Sequence, residues 1–259
     1  MTTRVTRADG KLTVALISEV FWEAAGVQRL RERLAEAANR GADLAVLPEI
    51  PLNPWSPATK EAGIGLVGGI IHRAEDGRRT SRALIIDATG QVRATYEKLH
   101  LPEEPGFWET SHYEPGTEAP RRIDAFGLPI GVQICSDNNR PEGTHLLGAQ
   151  GAMAVLVPRA SEEKTYQRWK TVFRSNALTG CVYVLSVNRP DPEAGVLIGG
   201  PSVAIDPTGH ALVETTDRMA LVTLGATTVT DARRNYPGYL PVRARLYADA
   251  WAEVAGADG

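Results

Sequence analysis

The chain has 259 residues, with 28 basic and 31 acidic side chains, a formal net charge of −3, and hydrophobic and charged shares of 43% and 23%. This composition is typical of a globular protein with a sizeable core, and the charge gives no support for a surface that binds nucleic acid or anionic membrane. No apolar run approaches the roughly 18 residues that span a bilayer. We therefore expect one domain over residues 1–259 that acts on a small molecule.

The few cysteines and histidines narrow the chemistry further. Cys135 and Cys181 are the two cysteines, too few for a disulfide scaffold, which favours a reducing, cytoplasmic location. Residues 1–11 lack the apolar core of a signal peptide and are predicted to be a flexible lead-in. The five histidines show no metal-ligand spacing, so we expect neither a metal nor a cofactor.

The first elements form a strand–helix–strand unit. Residues 12–17 are predicted to form a strand, residues 27–39 an amphipathic helix that Gly41 ends, and residues 43–48 a second strand. This order predicts a parallel pair of strands joined by a crossover helix. Glu49 follows directly, a position that fits a site above the sheet and a solvated loop equally well.

Three further strands and a long loop follow. Strands are predicted over 66–71, 81–86 and 91–96, and the turn at 87–90 makes the last two a hairpin. Residues 103–116 then form a loop of unusual length. Long ordered loops in compact domains are often functional.

Cys135 lies where a predicted strand changes into a turn and then a helix. Ile130, Val132 and Ile134 alternate as in a buried strand, and Pro141 can begin a helix. Backbone N–H groups and a helix N-terminus near Cys135 would favour the thiolate, which makes it a candidate nucleophile. The alternative is a free cysteine packed as a small hydrophobic side chain.

The second half continues the alternation of helices and strands. Helices are predicted over 144–150 and 162–178, and strands over 154–158, 181–187, 197–205, 210–215 and 219–224. The segment Gly199-Gly200-Pro201 is expected to interrupt the strand over 197–205. Cys181 is interpreted as a core residue. From residue 230 on the apolar periodicity weakens, which predicts a C-terminal tail over about 230–259. Residues 230–250 are expected to be irregular with some helix, and to pack either on a partner subunit or on their own domain.

Glu49, Lys98 and Cys135 each lie at or near the end of a predicted strand. Together they supply what an acyl transfer needs: a thiol to attack a carbonyl carbon, a carboxylate to relay the proton to the leaving amine, and an ammonium to stabilise the oxyanion. A binding module that had kept the fold without the activity would have no need for all three.

The segments that carry these residues resemble the nitrilase superfamily, the carbon–nitrogen hydrolases. The matching motifs are Leu47-Pro48-Glu49, Tyr96-Glu97-Lys98-Leu99-His100, Gly131-Val132-Gln133-Ile134-Cys135-Ser136-Asp137, Val187-Asn188-Arg189 and Gly200-Pro201-Ser202. The resemblance extends from about Leu12 to about Tyr247. It implies an α/β fold, a four-layer α-β-β-α sandwich that usually dimerises through helices, so a homodimer or higher homo-oligomer is expected.

The resemblance also implies roles for single residues. Glu49 is similar to the general base of the family, Lys98 to the lysine that stabilises the tetrahedral intermediate, and Cys135 to the nucleophile. The backbone N–H of Ser136 would complete the oxyanion site.

A second glutamate is implied in the loop after the lysine. Glu109 takes this position by its match to the Pro-Gly pair downstream, and Glu103 and Glu104 are its rivals.

The resemblance is closest to members that cleave N-carbamoyl amines and N-carbamoyl amino acids, through residues 100–106. Asn138 and Asn139 stand where bulky groups are common in the family, which suggests a polar pocket and ranks a linear amide or N-carbamoyl compound above a nitrile.

The charge of the substrate stays open. Glu103 or Glu104 at the pocket mouth would favour a cationic tail, whereas Arg140 or Arg159 would favour a carboxylate.

Overall fold

The computed structural model describes residues 10–51, 61–193 and 195–257. Six strands form the first sheet, in the spatial order β13 (Met219–Gly225), β1 (Lys11–Ile17), β2 (Leu44–Val46), β3 (Gly65–Arg73), β4 (Arg79–Ile86) and β5 (Val92–Glu97). The strands β1, β2 and β3 are parallel, and helix α1 (Gly26–Asn39) connects the first two. This confirms the predicted strand–helix–strand unit, and β4 and β5 form the predicted hairpin.

Five strands form the second sheet, in the order β12 (Ala211–Thr215), β11 (Ser202–Ile205), β10 (Tyr183–Asn188), β9 (Ala154–Arg159) and β8 (Ile130–Val132). The strands β8, β9 and β10 are parallel, and the rest of the sheet is antiparallel. Helices α2 (Pro141–Ala149) and α3 (Tyr166–Gly180) connect the parallel strands. No helix in the described part of the chain is long and apolar enough to cross a membrane.

Three apolar layers hold these elements together, because alternate side chains of a strand point to opposite faces. Side chains from both sheets fill the central layer, among them Val14, Leu16, Val46, Val132, Leu156 and Leu185. Leu30 and Leu34 of α1 pack on the outer face of the first sheet, and Phe173 and Ala177 of α3 pack on that of the second. The result is the expected four-layer α-β-β-α sandwich.

The long loop at 103–116 contains more regular structure than its sequence indicates. Strands β6 (Glu103–Glu104) and β7 (Phe107–Trp108) pair across Gly106, whose φ is +91°, and a 3-10 turn covers Glu109–Ser111. Strands of two residues are too short to produce a visible alternation.

One strand and two helices differ in extent from their predictions. Strand β11 covers only the part of the predicted 197–205 that follows the expected interruption, where Gly199 and Gly200 have φ values of +156° and +88°. Helix α2 begins at Pro141, three residues earlier than expected, and α3 begins at Tyr166 after a short 3-10 turn.

The C-terminal tail contains more helix than the sequence predicts. Helices α4 (Ala226–Arg234) and α5 (Ala244–Ala257) occupy most of it, and the side chains of α5 over residues 244–256 are exposed. The predicted lead-in of residues 1–11 lies outside the described residues up to position 9, and Lys11 already belongs to β1.

Candidate active site

The three residues that suggested acyl transfer each lie within three positions of the end of a strand. Glu49 follows β2, Lys98 follows β5, and Cys135 follows β8. All three are buried, with exposed fractions of 3%, 0% and 6%. Strands from both sheets therefore bring them into one place inside the sandwich.

Lys98 is the centre of this group. Its Nζ donates to Glu49 Oε1 at 2.8 Å and to Glu109 Oε1 and Oε2 at 2.7 and 2.8 Å. Glu103 and Glu104 are exposed, so the structure brings Glu109, and neither rival, to the lysine. A buried ammonium is tolerated when it is paired in this way.

The charges of this group shift its protonation equilibria. Burial opposes the ammonium, but Glu49 and the other acidic groups around it hold the pKa of Lys98 well above its usual value. Burial, together with the charge of Glu49, raises the pKa of Glu109 to about 7. Two carboxylates thus share one cation.

Cys135 keeps its proton in the resting protein. Burial and the charge of Glu49 raise the pKa of Cys135 to about 12, although Lys98 acts in the opposite direction. The expectation of a favoured thiolate is therefore wrong, because burial and the carboxylate of Glu49 both oppose the anion. A thiol of this kind needs an adjacent base to become a nucleophile.

The backbone at Cys135 is strained. Its φ is +45°, at the first residue of a 3-10 helix over Cys135–Asn139, and such a conformation costs a non-glycine residue about 1–3 kcal/mol. The Sγ atom lies 3.7 Å from the carbonyl oxygen of Ala160. The sharp turn places the thiol at the end of the sheet. The backbone N–H of Ser136 belongs to the same turn.

Asp137 connects two segments of the site in a way that sequence reasoning misses, although it lies in the Cys-x-Asp motif. Its buried carboxylate accepts hydrogen bonds from the N–H groups of Leu99 (3.0 Å) and His100 (2.8 Å), which follow the lysine, and of Ile134 (3.2 Å), which precedes the cysteine. The phenol of Tyr96 also donates to it at 2.9 Å. One side chain thus joins the lysine segment to the cysteine turn.

The structure does not support the prediction that Asn138 and Asn139 line the pocket. Asn138 is fully buried, and its Nδ2 donates to Gln133 Oε1 at 3.0 Å and to Thr144 Oγ1 at 3.1 Å. The backbone carbonyl oxygen of Asn138 accepts a hydrogen bond from Asn176 Nδ2 at 2.7 Å. Asn139 is exposed. Asn138 therefore fixes the 3-10 turn to α2 and α3, and the pair gives no support for a polar pocket.

Arg159 is fully buried, and protein groups occupy its guanidinium. Its Nε donates to Ser186 Oγ at 3.0 Å and its Nη2 to the carbonyl of Pro201 at 2.8 Å. The guanidinium lies 5.6 Å from the ring centres of Trp169 and Phe173, and burial lowers the pKa of Arg159 to about 10. These contacts hold α3 to the second sheet and do not support the predicted binding of a substrate carboxylate.

Comparison with known proteins shows what the chain is similar to. Residues 14–234 match the family model described as carbon-nitrogen hydrolase. A hydrolase of Mycobacterium tuberculosis is 30% identical over 228 residues, which are 78% of this chain and 81% of that protein. A citrullinase of Francisella tularensis is 26% identical, covering 80% and 85%, and an omega-amidase of Homo sapiens is 25% identical, covering 86% and 91%.

The fold is also found in solved structures. A carbon–nitrogen hydrolase from Helicobacter pylori superposes with a TM-score of 0.85, at 17% identity, over 93% of this chain and 98% of that one. This similarity concerns the fold, and it places the two sheets and their helices in the same arrangement.

Proposed function

The chain belongs to the carbon–nitrogen hydrolase family, and from this premise we propose that it cleaves a linear amide or an N-carbamoyl compound through an acyl-enzyme on Cys135, with release of ammonia. The observation that carries the proposal is the buried ammonium of Lys98 between the carboxylates of Glu49 and Glu109, with which the Cys135 thiol interacts electrostatically.

The acylation step needs a base, because the resting thiol is protonated. Glu49 takes the proton from Sγ as the sulfur forms a bond to the carbonyl carbon of the substrate. The carbonyl oxygen becomes an oxyanion, which Lys98 and the backbone N–H of Ser136 stabilise. The C–N bond then breaks, the nitrogen takes the proton from Glu49, and ammonia departs. An amide leaves a thioester on Cys135, and an N-carbamoyl compound leaves a thiocarbamate.

Deacylation reverses the roles of the same groups. Glu49 takes a proton from water as the water oxygen attacks the thioester carbon, and it returns the proton to sulfur when the C–S bond breaks. An amide gives a carboxylic acid, whereas an N-carbamoyl amine gives a carbamic acid that loses carbon dioxide. Glu109 keeps the ammonium of Lys98 in place through both steps.

The substrate class is supported by the relatives. Their names indicate an omega-amide for one and citrulline for another, and the side chain of citrulline ends in an N-carbamoyl amine. Both compounds present a carbonyl carbon that bears an –NH₂ group. Because Asn138 and Asn139 give no support for a polar pocket, nitriles remain a class that the test must include.

The test compares ammonia release by the wild-type chain, by Cys135→Ala and by Cys181→Ala. The panel contains N-carbamoyl amines, N-carbamoyl amino acids, primary and omega amides, and aliphatic nitriles. Cys181 is the matched control, because it is also a buried free cysteine and lies outside the group around Lys98.

We expect Cys135→Ala to lose at least about a thousandfold in kcat, because no other group replaces the nucleophile, while Cys181→Ala keeps the wild-type rate. Turnover of nitriles alone would replace amide hydrolysis with nitrile hydrolysis. Equal turnover by the wild type and Cys135→Ala would show that Cys135 is not the nucleophile. No turnover of any class by folded protein would favour a non-catalytic interaction module.

A further inference from the structure

Two consecutive carbonyl groups converge on one arginine beside the candidate site. Arg189 Nε donates to the carbonyl oxygen of Glu49 at 2.7 Å, and its Nη2 donates to that of Ile50 at 2.9 Å. The carboxylate of Glu49 takes no part in these bonds, since it is bonded to Lys98. Arg189 therefore holds the main chain from which the carboxylate extends.

The arginine is itself fixed on its remaining sides. Its Nη1 forms an ion pair with Glu193, and its guanidinium lies 4.8 Å from the ring centre of Trp22. The indole Nε1 of Trp22 donates to the carbonyl of Ile50 at 3.3 Å. A planar guanidinium held in this way presents two parallel N–H groups in a rigid fork.

The segment that Arg189 holds has a strained backbone conformation. Ile50 has a φ of +42°, a left-handed conformation that is unfavourable for a β-branched residue. Strand β3 approaches the same segment closely, because a Cβ atom on Gly69 would lie only 2.7 Å from the backbone nitrogen of Ile50. Without an external restraint, the chain after Glu49 would relax and move the carboxylate.

We propose that Arg189 is a positioning residue that fixes the general base through its backbone. The motif Val187-Asn188-Arg189 thereby acquires a role that its sequence does not reveal. The inference rests on the proposed role of Glu49, and it assigns Arg189 no contact with the substrate.

The first test replaces the fork. Arg189→Met keeps an apolar stem without donors, and Arg189→Lys keeps the charge but can serve only one of the two carbonyls well. Arg218→Met is the matched control, because Arg218 forms an exposed ion pair with Asp191 at 2.9 Å in the same region.

A carboxylate displaced by about 1 Å can cost about 100-fold in rate. We therefore expect Arg189→Met to lower kcat about 100-fold, with KM changed by less than about threefold. The kcat of Arg189→Lys should lie between those of Arg189→Met and the wild type. The kcat of Arg218→Met should match that of the wild type. A raised KM with an unchanged kcat would overturn the proposal, because it would make Arg189 a substrate-binding residue. Unchanged kinetics in Arg189→Met would also overturn it.

A second test separates positioning from a general loss of structure. In Glu49→Asp the carboxylate is already withdrawn by one methylene, so adding Arg189→Met should lower kcat by no more than about threefold further. Equal losses in both backgrounds are what a purely structural role produces, and they would overturn the proposal.

The same set of variants, with Glu49→Gln added, distinguishes the two levels of inference. If Glu49→Gln, which has no basic carboxylate, retains full activity, Glu49 is not the base, and the proposed mechanism fails together with the role of Arg189. If Glu49→Gln is impaired while Arg189→Met is fully active, only the role of Arg189 fails.

Discussion

Two carboxylates and one ammonium occupy the same buried space, and their charges do not cancel. Lys98 bonds to both Glu49 and Glu109, so full ionisation leaves one excess negative charge beside a thiol that is also buried. Burial and like charge penalise the second anion. The penalty is expressed in the pKa of Glu109, which is raised to about 7.

This raised pKa predicts a pH dependence of stability. Between the unfolded value of 4.5 and about 7, folded Glu109 binds a proton that the unfolded chain has released. The stabilisation is complete below pH 4.5 and is lost as the pH rises through about 7. We expect Glu109→Gln not to lose this stabilisation, because its side chain does not titrate. The free energy of unfolding of Glu109→Gln minus that of the wild type, measured in urea from pH 4.5 to 8, should therefore increase as the pH rises.

Glu104→Gln is the control for this measurement, because Glu104 is an exposed carboxylate of the preceding hairpin. Its curve should run parallel to that of the wild type. If the Glu109→Gln curve is parallel as well, the carboxyl of Glu109 does not titrate in this range.

Asp137 carries a second prediction at the scale of one residue. Each of its oxygens accepts from N–H or O–H donors on both sides, so an amide group in its place would direct an NH₂ against other donors. We expect Asp137→Asn to lower the free energy of unfolding by about 2–3 kcal/mol, and to lower kcat because the lysine and the cysteine are no longer joined. Urea unfolding and ammonia release measure the two effects.

Asp124→Asn is the comparison, since the exposed Asp124 forms its ion pair with Arg122. It should change stability by less than about 0.5 kcal/mol. A loss in Asp137→Asn no greater than this would contradict the bridging role.

At the scale of elements, the sequence predicts those whose pattern reflects burial on one face. Helix α1 was predictable because Leu30 and Leu34 face the sheet between charged residues. Helix α5 was not, because six of its 14 residues are alanine and little contrast remains between its faces. The two-residue strands of the 103–108 hairpin carry no period at all.

The same reasoning divides the site residues. Glu49 and Cys135 could be predicted as candidates because each ends an apolar strand, but their convergence with Lys98 requires two sheets whose packing no local pattern specifies. The direction of Arg159 could not be predicted either. Every residue of β9 is buried, so the sequence of the strand shows no contrast between its two faces. It therefore does not reveal that Arg159 lies on the same face as Val155 and Val157.

At the scale of the whole molecule, the C-terminal region presents an apolar surface that nothing in the described chain covers. Tyr247, Trp251 and Val254 recur at helical spacing on α5, and each is more than half exposed. Tyr236 and Tyr239, before the helix, are exposed as well. Large exposed apolar patches on a folded chain mark interaction surfaces.

We propose that this surface packs on a second copy of the chain. The full chain should then sediment as a dimer or a larger oligomer. Trp251→Lys should raise the dissociation constant about 30-fold or more, since a buried tryptophan at an interface contributes about 2 kcal/mol or more.

Val92→Lys is the control, because Val92 is equally exposed but lies on β5 in the first sheet, far from α5 in sequence. Its dissociation constant should match that of the wild type. Sedimentation over a range of concentrations distinguishes the outcomes. A wild-type chain that is monomeric at tens of micromolar would leave α5 without a role in self-association. A Trp251→Lys variant that associates as tightly as Val92→Lys would lead to the same conclusion. Association that weakens in Trp251→Lys alone would identify α5 as the surface between the copies.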